Sequence, residues 1–273
     1  MTNRKNSSDP IGLLAGGGEL PILFARRARQ KGVPLVVAAL EGNASSRVAR
    51  PGEPLLRLRI GQLGALLSFF KKHGVKRAVM LGKVQHSSVL RGIPFDLKAL
   101  AVVAGLKDRS GPALLRALAD ELMKAGVRVL DSRTMLQDAL SPRGILTRRR
   151  PDVSQSRSAS YGLKRARALA RWGVGQTLIV KRCAVAAVEA AEGTDGAIRR
   201  AGQVAGKGCI AVKVAAQTQD WRFDVPTVGP ATIRTLAKAG AAGLVIEAGR
   251  TFILRRNTTL ALADRYGLFV QAV

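Results

Sequence analysis

Of the 18 acidic residues in this chain of 273, six fall between Glu189 and Glu247. They stand in three groups: Glu189-Ala-Ala-Glu192-Gly-Thr194-Asp195, Gln219-Asp220-Trp-Arg222-Phe-Asp224-Val-Pro-Thr227, and Glu247-Ala-Gly249-Arg250-Thr251. Each group sits in Gly, Pro or Thr text of the kind that ends a strand, where carboxylates can converge in a cleft. Such oxygen donors suit Mg²⁺, which takes one or two carboxylates and completes its shell with water and substrate phosphate. An ion held this way polarises a phosphoryl oxygen and acidifies an attacking water, while neighbouring Arg and Lys offset phosphate charge. The matching reaction is cleavage of a phosphoanhydride. The other reading of Glu189, Glu192 and Asp195 is as helix caps and surface partners for the abundant arginines.

A second candidate is Gly16-Gly17-Gly18, which follows an apolar run and precedes Glu19-Leu20-Pro21. Glycines between a strand and a helix let backbone amides approach a phosphate. The text is neither Walker A nor the dinucleotide fingerprint, so a plain tight turn stays open beside a phosphate cradle. Gly82-Lys83 ends another predicted strand, at the edge where open α/β sheets bind ligands. Lys83 is a candidate phosphate contact there. Other chemistries lack their parts. No Gly-x-Ser-x-Gly elbow occurs, and Cys183 and Cys209 have no neighbouring base. His73 and His86 lie far in sequence from both cysteines, which speaks against a zinc site.

Charge narrows the partners. With 45 Lys and Arg against 18 acids the net charge is +27, which attracts nucleic acid, an anionic membrane face or a phosphorylated substrate. Between Arg143 and Arg171 nine basic residues face one acid, Asp152, making this the best electrostatic contact stretch. Interleaved aromatics and nucleic-acid-binding motifs are missing. No apolar run approaches the roughly 18 residues that span a bilayer. The polar start, leading straight into a strand, does not resemble an export signal.

The elements that must hold these residues read as α/β. Strands are predicted at 11–15, 34–40, 55–60, 77–81 and 127–130, and helices from about 20 to 31 and at 62–72, 96–106 and 113–125, an alternation that predicts a mostly parallel sheet. Residues 141–160 turn to Pro, Arg, Ser and Gly, a linker composition. The expected architecture is therefore two α/β domains, a Rossmann-like one at 1–140 and a catalytic one at 161–273, joined by a basic linker at 141–160. In the second, a helix at 161–172 leads to a hairpin of 177–180 and 184–188. Thr194-Asp195-Gly196 is expected to cap the next helix. A strand at 209–214, a helix at 232–239, a strand at 244–246 and a helix at 258–266 follow.

With those residues in place the chain resembles the LpxI-type UDP-2,3-diacylglucosamine pyrophosphatases of lipid A synthesis. The resemblance rests on Ala15-Gly-Gly-Gly-Glu-Leu-Pro21, Leu81-Gly-Lys-Val84, Val188-Glu-Ala-Ala-Glu-Gly-Thr-Asp195, Gln219-Asp-Trp-Arg-Phe-Asp-Val-Pro226 and Glu247-Ala-Gly-Arg-Thr251. It implies hydrolysis of the UDP-sugar pyrophosphate to UMP and 2,3-diacylglucosamine 1-phosphate with Mg²⁺ or another divalent cation. The family's essential aspartate falls on Asp224, which is assigned catalysis and metal binding. Asp220 is expected to assist catalysis and Glu189 to assist at the metal. Gly16, Gly17, Gly18, Lys83, Thr194, Asp195, Gln219, Arg222 and Thr227 are expected to contact substrate. The resemblance further implies a cytoplasmic homodimer, peripheral at the anionic inner membrane face, with no nucleic acid partner. The chain departs from the family's pattern at Ala216-Gln217, Ser110-Gly111-Pro112 and Leu254-Arg255-Arg256. A nucleic-acid-binding protein and a nucleotide-sugar-binding protein without turnover remain the competing readings.

Overall fold

The structure, a computed structural model, describes residues 9–84, 95–108, 110–216, 220–223 and 225–273. Two compact units divide the chain: Met1–Leu136 with Trp221–Asp224, and Gln137–Asp220 with Val225–Val273.

In the first unit, glycine- and proline-bounded apolar runs become β1 (Ile11–Ala15), β2 (Leu35–Leu40) and β4 (Arg77–Leu81), joined by β3 (Leu55–Leu58) and β5 (Arg128–Val129). The sheet order is β3-β2-β1-β4-β5, and every pairing is parallel. The chain therefore builds outward from β1 in one direction and then the other, which leaves a topological switch point between the C-terminal ends of β1 and β4. Helices α1 (Leu20–Gln30), α2 (Leu63–Lys72) and α4 (Gly111–Lys124) pack on the sheet, and α3 (Leu97–Ala104) packs on α2. Their starts are chemically marked: Pro21 stands in the first turn of α1, Asp96 caps α3 through the Ala99 amide, and Ser110 caps α4. One core joins Leu66 and Phe70 of α2 to Leu14, Val36 and Met80 of the strands, with Leu122 of α4 beside them.

The second unit holds β6 (Gly144–Ile145), α5 (Val153–Arg171), β7 (Thr177–Lys181), β8 (Ala184–Val188), α6 (Gly193–Ala205) and β9 (Ile210–Lys213). It continues with β10 (Thr227–Val228), α7 (Pro230–Lys238), β11 (Gly243–Ile246), β12 (Phe252–Ile253), α8 (Arg256–Arg265) and β13 (Phe269–Ala272). Its sheet is mixed, in the order β6-β13-β11-β9-β7-β8, and β10 pairs with β12 separately. β9, β11 and β13 run parallel, while β6, β7 and β8 are antiparallel to their neighbours. Strand alternation feeds two cores. Ile210 and Val212 meet Ala159, Ala166 and Ala170 of α5 on one face, and Ala211 joins Ile198, Ile233 and Leu236 on the other. The expected hairpin is present, its tip made by Arg182 and Cys183, both left-handed.

Two local expectations change. Helix α5 starts at Val153, inside the stretch of linker composition, because Asp152 and Gln155 form a reciprocal capping box. Thr194 does not cap α6. The N-cap position is Glu192, without a side-chain cap bond, and the Thr194 hydroxyl is used elsewhere.

Candidate active site

Three loops meet the C-terminal edge of the first unit's sheet. After β1, the Gly16 amide donates to the Leu81 carbonyl at 2.8 Å. Gly17 and Lys83 then exchange backbone hydrogen bonds of 2.8 and 2.9 Å, an isolated antiparallel bridge that ties the two loops together across the switch point. A Cβ on Gly16 would lie 2.8 Å from the Lys83 carbonyl oxygen, and one on Gly82, whose φ is +101°, would lie 2.7 Å from the Gly17 oxygen. Glycine at 16 and 82 thus answers a close approach of two backbones. The Gly16 and Gly17 amides are committed to that approach, while Gly18, at φ +93°, has nothing within 4 Å of its added Cβ. The Lys83 side chain is exposed beside this bridge.

The third loop follows β5 and holds the acidic motif's own segment. Ser132 is 1% exposed; its amide donates to the Trp221 carbonyl at 2.6 Å, and its hydroxyl lies 2.8 Å from the Arg222 carbonyl and 3.2 Å from that of Met80. The Arg133 guanidinium stacks 4.1 Å from the centre of the Trp221 ring and is held by Asp131 through bonds of 2.6 to 3.1 Å. That carboxylate's hydrogen bonds raise the Arg133 pKa further above its ordinary value. Phe223 is buried in the sheet's core with Leu14, Val36 and Met80. Arg222, half-buried, places its guanidinium 5.4 Å from the Phe223 ring. The text around Trp221 to Phe223 is therefore docked at the sheet edge where this class of fold binds ligands.

The second unit has its own polar edge. Register pairs Thr177 with Lys213, so the C-terminal end of β9 stands against the start of β7, and Glu189 follows β8 at the same end. Lys213 is 7% exposed, and its Nζ donates to Thr194 at 2.9 Å and to Thr177 at 3.2 Å. Thr194 in turn donates to Glu189 Oε1 at 2.9 Å. Glu189 Oε2 is buried, accepts no hydrogen bond, and lies 3.8 Å from Lys213 Nζ. At the neighbouring strand end Glu247, 3% exposed, accepts from Arg167 Nε at 2.8 Å and from the Ala215 amide at 2.8 Å. Arg250 donates to the Ala216 carbonyl at 3.0 Å. Glu247 and Arg250 thereby fix the backbone at Ala215 and Ala216.

The residues singled out in the sequence divide as follows. Gly16, Gly17, Gly18, Lys83 and Arg222 belong to the first unit's sheet edge. Thr194 and Glu189 share the Lys213 network, and Asp195 is half-buried in the first turn of α6. Asp220 is half-buried, and the Thr227 hydroxyl donates to the Val225 carbonyl at 2.9 Å. Asp224 and Gln219 lie outside the described residues. Among the described residues no three His, Cys, Asp or Glu side chains form a ready metal cage. Ser132, Arg133, Thr177 and Lys213 were not singled out from sequence. Lys213 had one available signal, a lysine inside the apolar run from Cys209 to Ala216.

Comparison with known proteins agrees with this layout. Residues 10–139 match the model of the LpxI N-terminal domain, and residues 142–271 match that of the LpxI C-terminal domain. The UDP-2,3-diacylglucosamine pyrophosphatase LpxI of Caulobacter vibrioides is 32% identical over 275 residues, covering 96% of this chain and 97% of that protein. Among solved structures, the biotin carboxylase domain of a single-chain bacterial carboxylase is 17% identical, covers 63% of this chain and 37% of its own, and has a TM-score of 0.27. The structure of gox2253 is 14% identical, with 97% and 77% covered and a TM-score of 0.38. Neither structural likeness bears on function. Both domain models, in order and across nearly the whole chain, together with the full-length relative, place this chain in the LpxI family.

Proposed function

We propose that this chain hydrolyses UDP-2,3-diacylglucosamine to UMP and 2,3-diacylglucosamine 1-phosphate. The observation that carries the reading is the docking of Trp221 to Phe223 at the sheet edge that also presents Gly16 to Gly18 and Lys83. Water adds to one phosphorus as the bridging P–O–P bond breaks, and the displaced phosphate leaves as a monoester. In this reading Asp224 takes the proton from the attacking water, assisted by Asp220. Lys83 and Arg222 offset phosphate charge, and Gly18 with Gln219, Thr194, Asp195 and Thr227 contacts the substrate.

A divalent ion, Mg²⁺ or a relative, would supply polarisation of the phosphoryl oxygen. Asp224 and Glu189 are its proposed ligands. The donor set supports an ion completed by substrate rather than caged by protein, since Mg²⁺ commonly takes only one or two carboxylates. Glu189 Oε2, buried and without a hydrogen bond, has acceptor capacity to offer. Lys213 Nζ lies 3.8 Å from that oxygen.

The same reading makes the protein a cytoplasmic homodimer that works at the anionic inner membrane face without a nucleic acid partner. Among the described residues no helix is long and apolar enough to cross a membrane. The experiment is UMP release from UDP-2,3-diacylglucosamine with Mg²⁺, with EDTA, and with Asp224→Ala of verified fold. Release abolished by EDTA and by the folded variant is expected. A wild type that releases no UMP with any divalent ion refutes the reading.

A further inference from the structure

Helix α5 packs Ala159, Gly162, Ala166 and Ala170 against its sheet, so closely that a Cβ on Gly162 would lie 2.9 Å from Val212. The outward face is set by the same 3.6-residue period: Arg157, Tyr161, Lys164, Arg165, Ala168 and Trp172 fall on one stripe, with Arg171 at its margin. Arg157, Lys164, Arg165, Arg171 and Trp172 are all exposed, and α5 itself contains no acid. Arg165 lies over the Tyr161 ring at 3.4 Å, which keeps its cation on this face. The stripe ends at Trp172, 80% exposed, and Val174, 45% exposed, on either side of Gly173. Trp172 and Val174 thus form an exposed apolar tip at the end of the cationic row. A row of cations that ends in an exposed tryptophan and an aliphatic residue is the composition of an interfacial helix, with cations for lipid headgroups and Trp at the headgroup level.

We infer that the outer face of α5 docks the protein on an anionic lipid surface, with Lys164, Arg165 and Arg171 on the headgroups and Trp172 inserted as the anchor. Charge complementarity selects an anionic surface, and Val174 beside Trp172 selects lipid over nucleic acid, which offers an aliphatic side chain little. The inference rests on the proposed lipid substrate only for its biological setting, because docking is measured without turnover.

The test is co-sedimentation of the full chain with phosphatidylcholine vesicles, with and without about a third of phosphatidylglycerol, near physiological salt. A single-stranded RNA binding assay runs in the same buffer. Binding to the anionic vesicles alone is expected. Because each cation near such a surface is worth about fivefold in partition, Lys164→Glu with Arg165→Glu weakens it by more than about 25-fold. Trp172→Ser weakens it at least about fivefold. All these side chains are exposed, so melting temperatures stay put, and brominated lipid quenches an emission component that Trp172→Phe removes. Vesicle binding within twofold of wild type in Trp172→Ser overturns the anchor. RNA binding tighter than vesicle binding and unmoved by Trp172→Ser overturns the lipid assignment. Hydrolysis of detergent-dispersed substrate is read separately: Trp172→Ser leaves it unchanged, and a wild type without it refutes the hydrolase reading while leaving the docking result intact.

Discussion

Replacing Gly16 by alanine puts a methyl group 2.8 Å from the Lys83 carbonyl oxygen, 3.1 Å from the Gly82 carbonyl carbon and 3.3 Å from that of Lys83. All three are backbone atoms, so no side chain can swing aside to relieve the contact. Overpacking of this kind typically costs about 1–3 kcal/mol. Relief by separating the loops loses the two bonds between Gly17 and Lys83, each worth about 1 kcal/mol net. The expected loss is about 3 kcal/mol, or roughly 6–12 °C in the melting of a unit this size. Gly18→Ala is the control. Its φ of +93° carries the left-handed strain of a residue with a Cβ, but no atom lies within 4 Å, so about 1–2 kcal/mol is expected. Thermal melts followed by circular dichroism, alongside the KM for UDP-sugar, separate the two roles. If Gly16 instead serves as a phosphate cradle, Gly16→Ala melts within about 2 °C of wild type while KM rises, and the backbone-approach account is refuted.

Two further variants address the docked segment and the buried cation. Ser132→Ala removes the hydroxyl between the Arg222 and Met80 carbonyls, so a loss of about 1 kcal/mol is expected. UMP release should fall at least about tenfold, one pair of misplaced groups being worth that much, with KM within twofold; an unchanged kcat sinks the positioning role. Lys213→Met leaves Glu189 without its cation and costs about 3 kcal/mol, whereas Lys213→Met with Glu189→Gln recovers most of that while remaining inactive. Denaturant midpoints check the first part and UMP release the second, and a double variant no more stable than Lys213→Met refutes the coupling.

What could be read from sequence follows physical lines. β1, β2 and β4 are continuous apolar runs, buried almost throughout, and their glycine and proline boundaries announce a parallel sheet. α5 was legible only in its second half. Its first half buries Ser158, Ala159 and Gly162, small residues that fit against the sheet yet look like linker when only polarity is weighed. β6, β10 and β12 have two residues each, too few to carry any period. The membership of Trp221 and Phe223 in the first unit was invisible, because nothing in a local pattern pairs Ser132 with carbonyls some 90 positions away.

Lys213 shows why the most informative site residue can be the least visible. Taking an ammonium and a carboxylate out of water costs several kcal/mol per ion, and a pair at 3.8 Å with a carboxylate oxygen left unbonded does not recover that cost well. An apolar pair of similar volume would hold β7 to β9 at least as firmly, given the Ile179 and Ala211 packed on the same face. Stability therefore does not explain Lys213 and Glu189, and groups kept against their desolvation cost at the ligand-binding edge of a sheet are the ones expected to meet charge from outside. A phosphate arriving at Lys213 and a cation at Glu189 would each find a partner already stripped of water. On the proposed function, separation of the pair by substrate is why the Lys213→Met with Glu189→Gln protein is expected to fold and not to turn over.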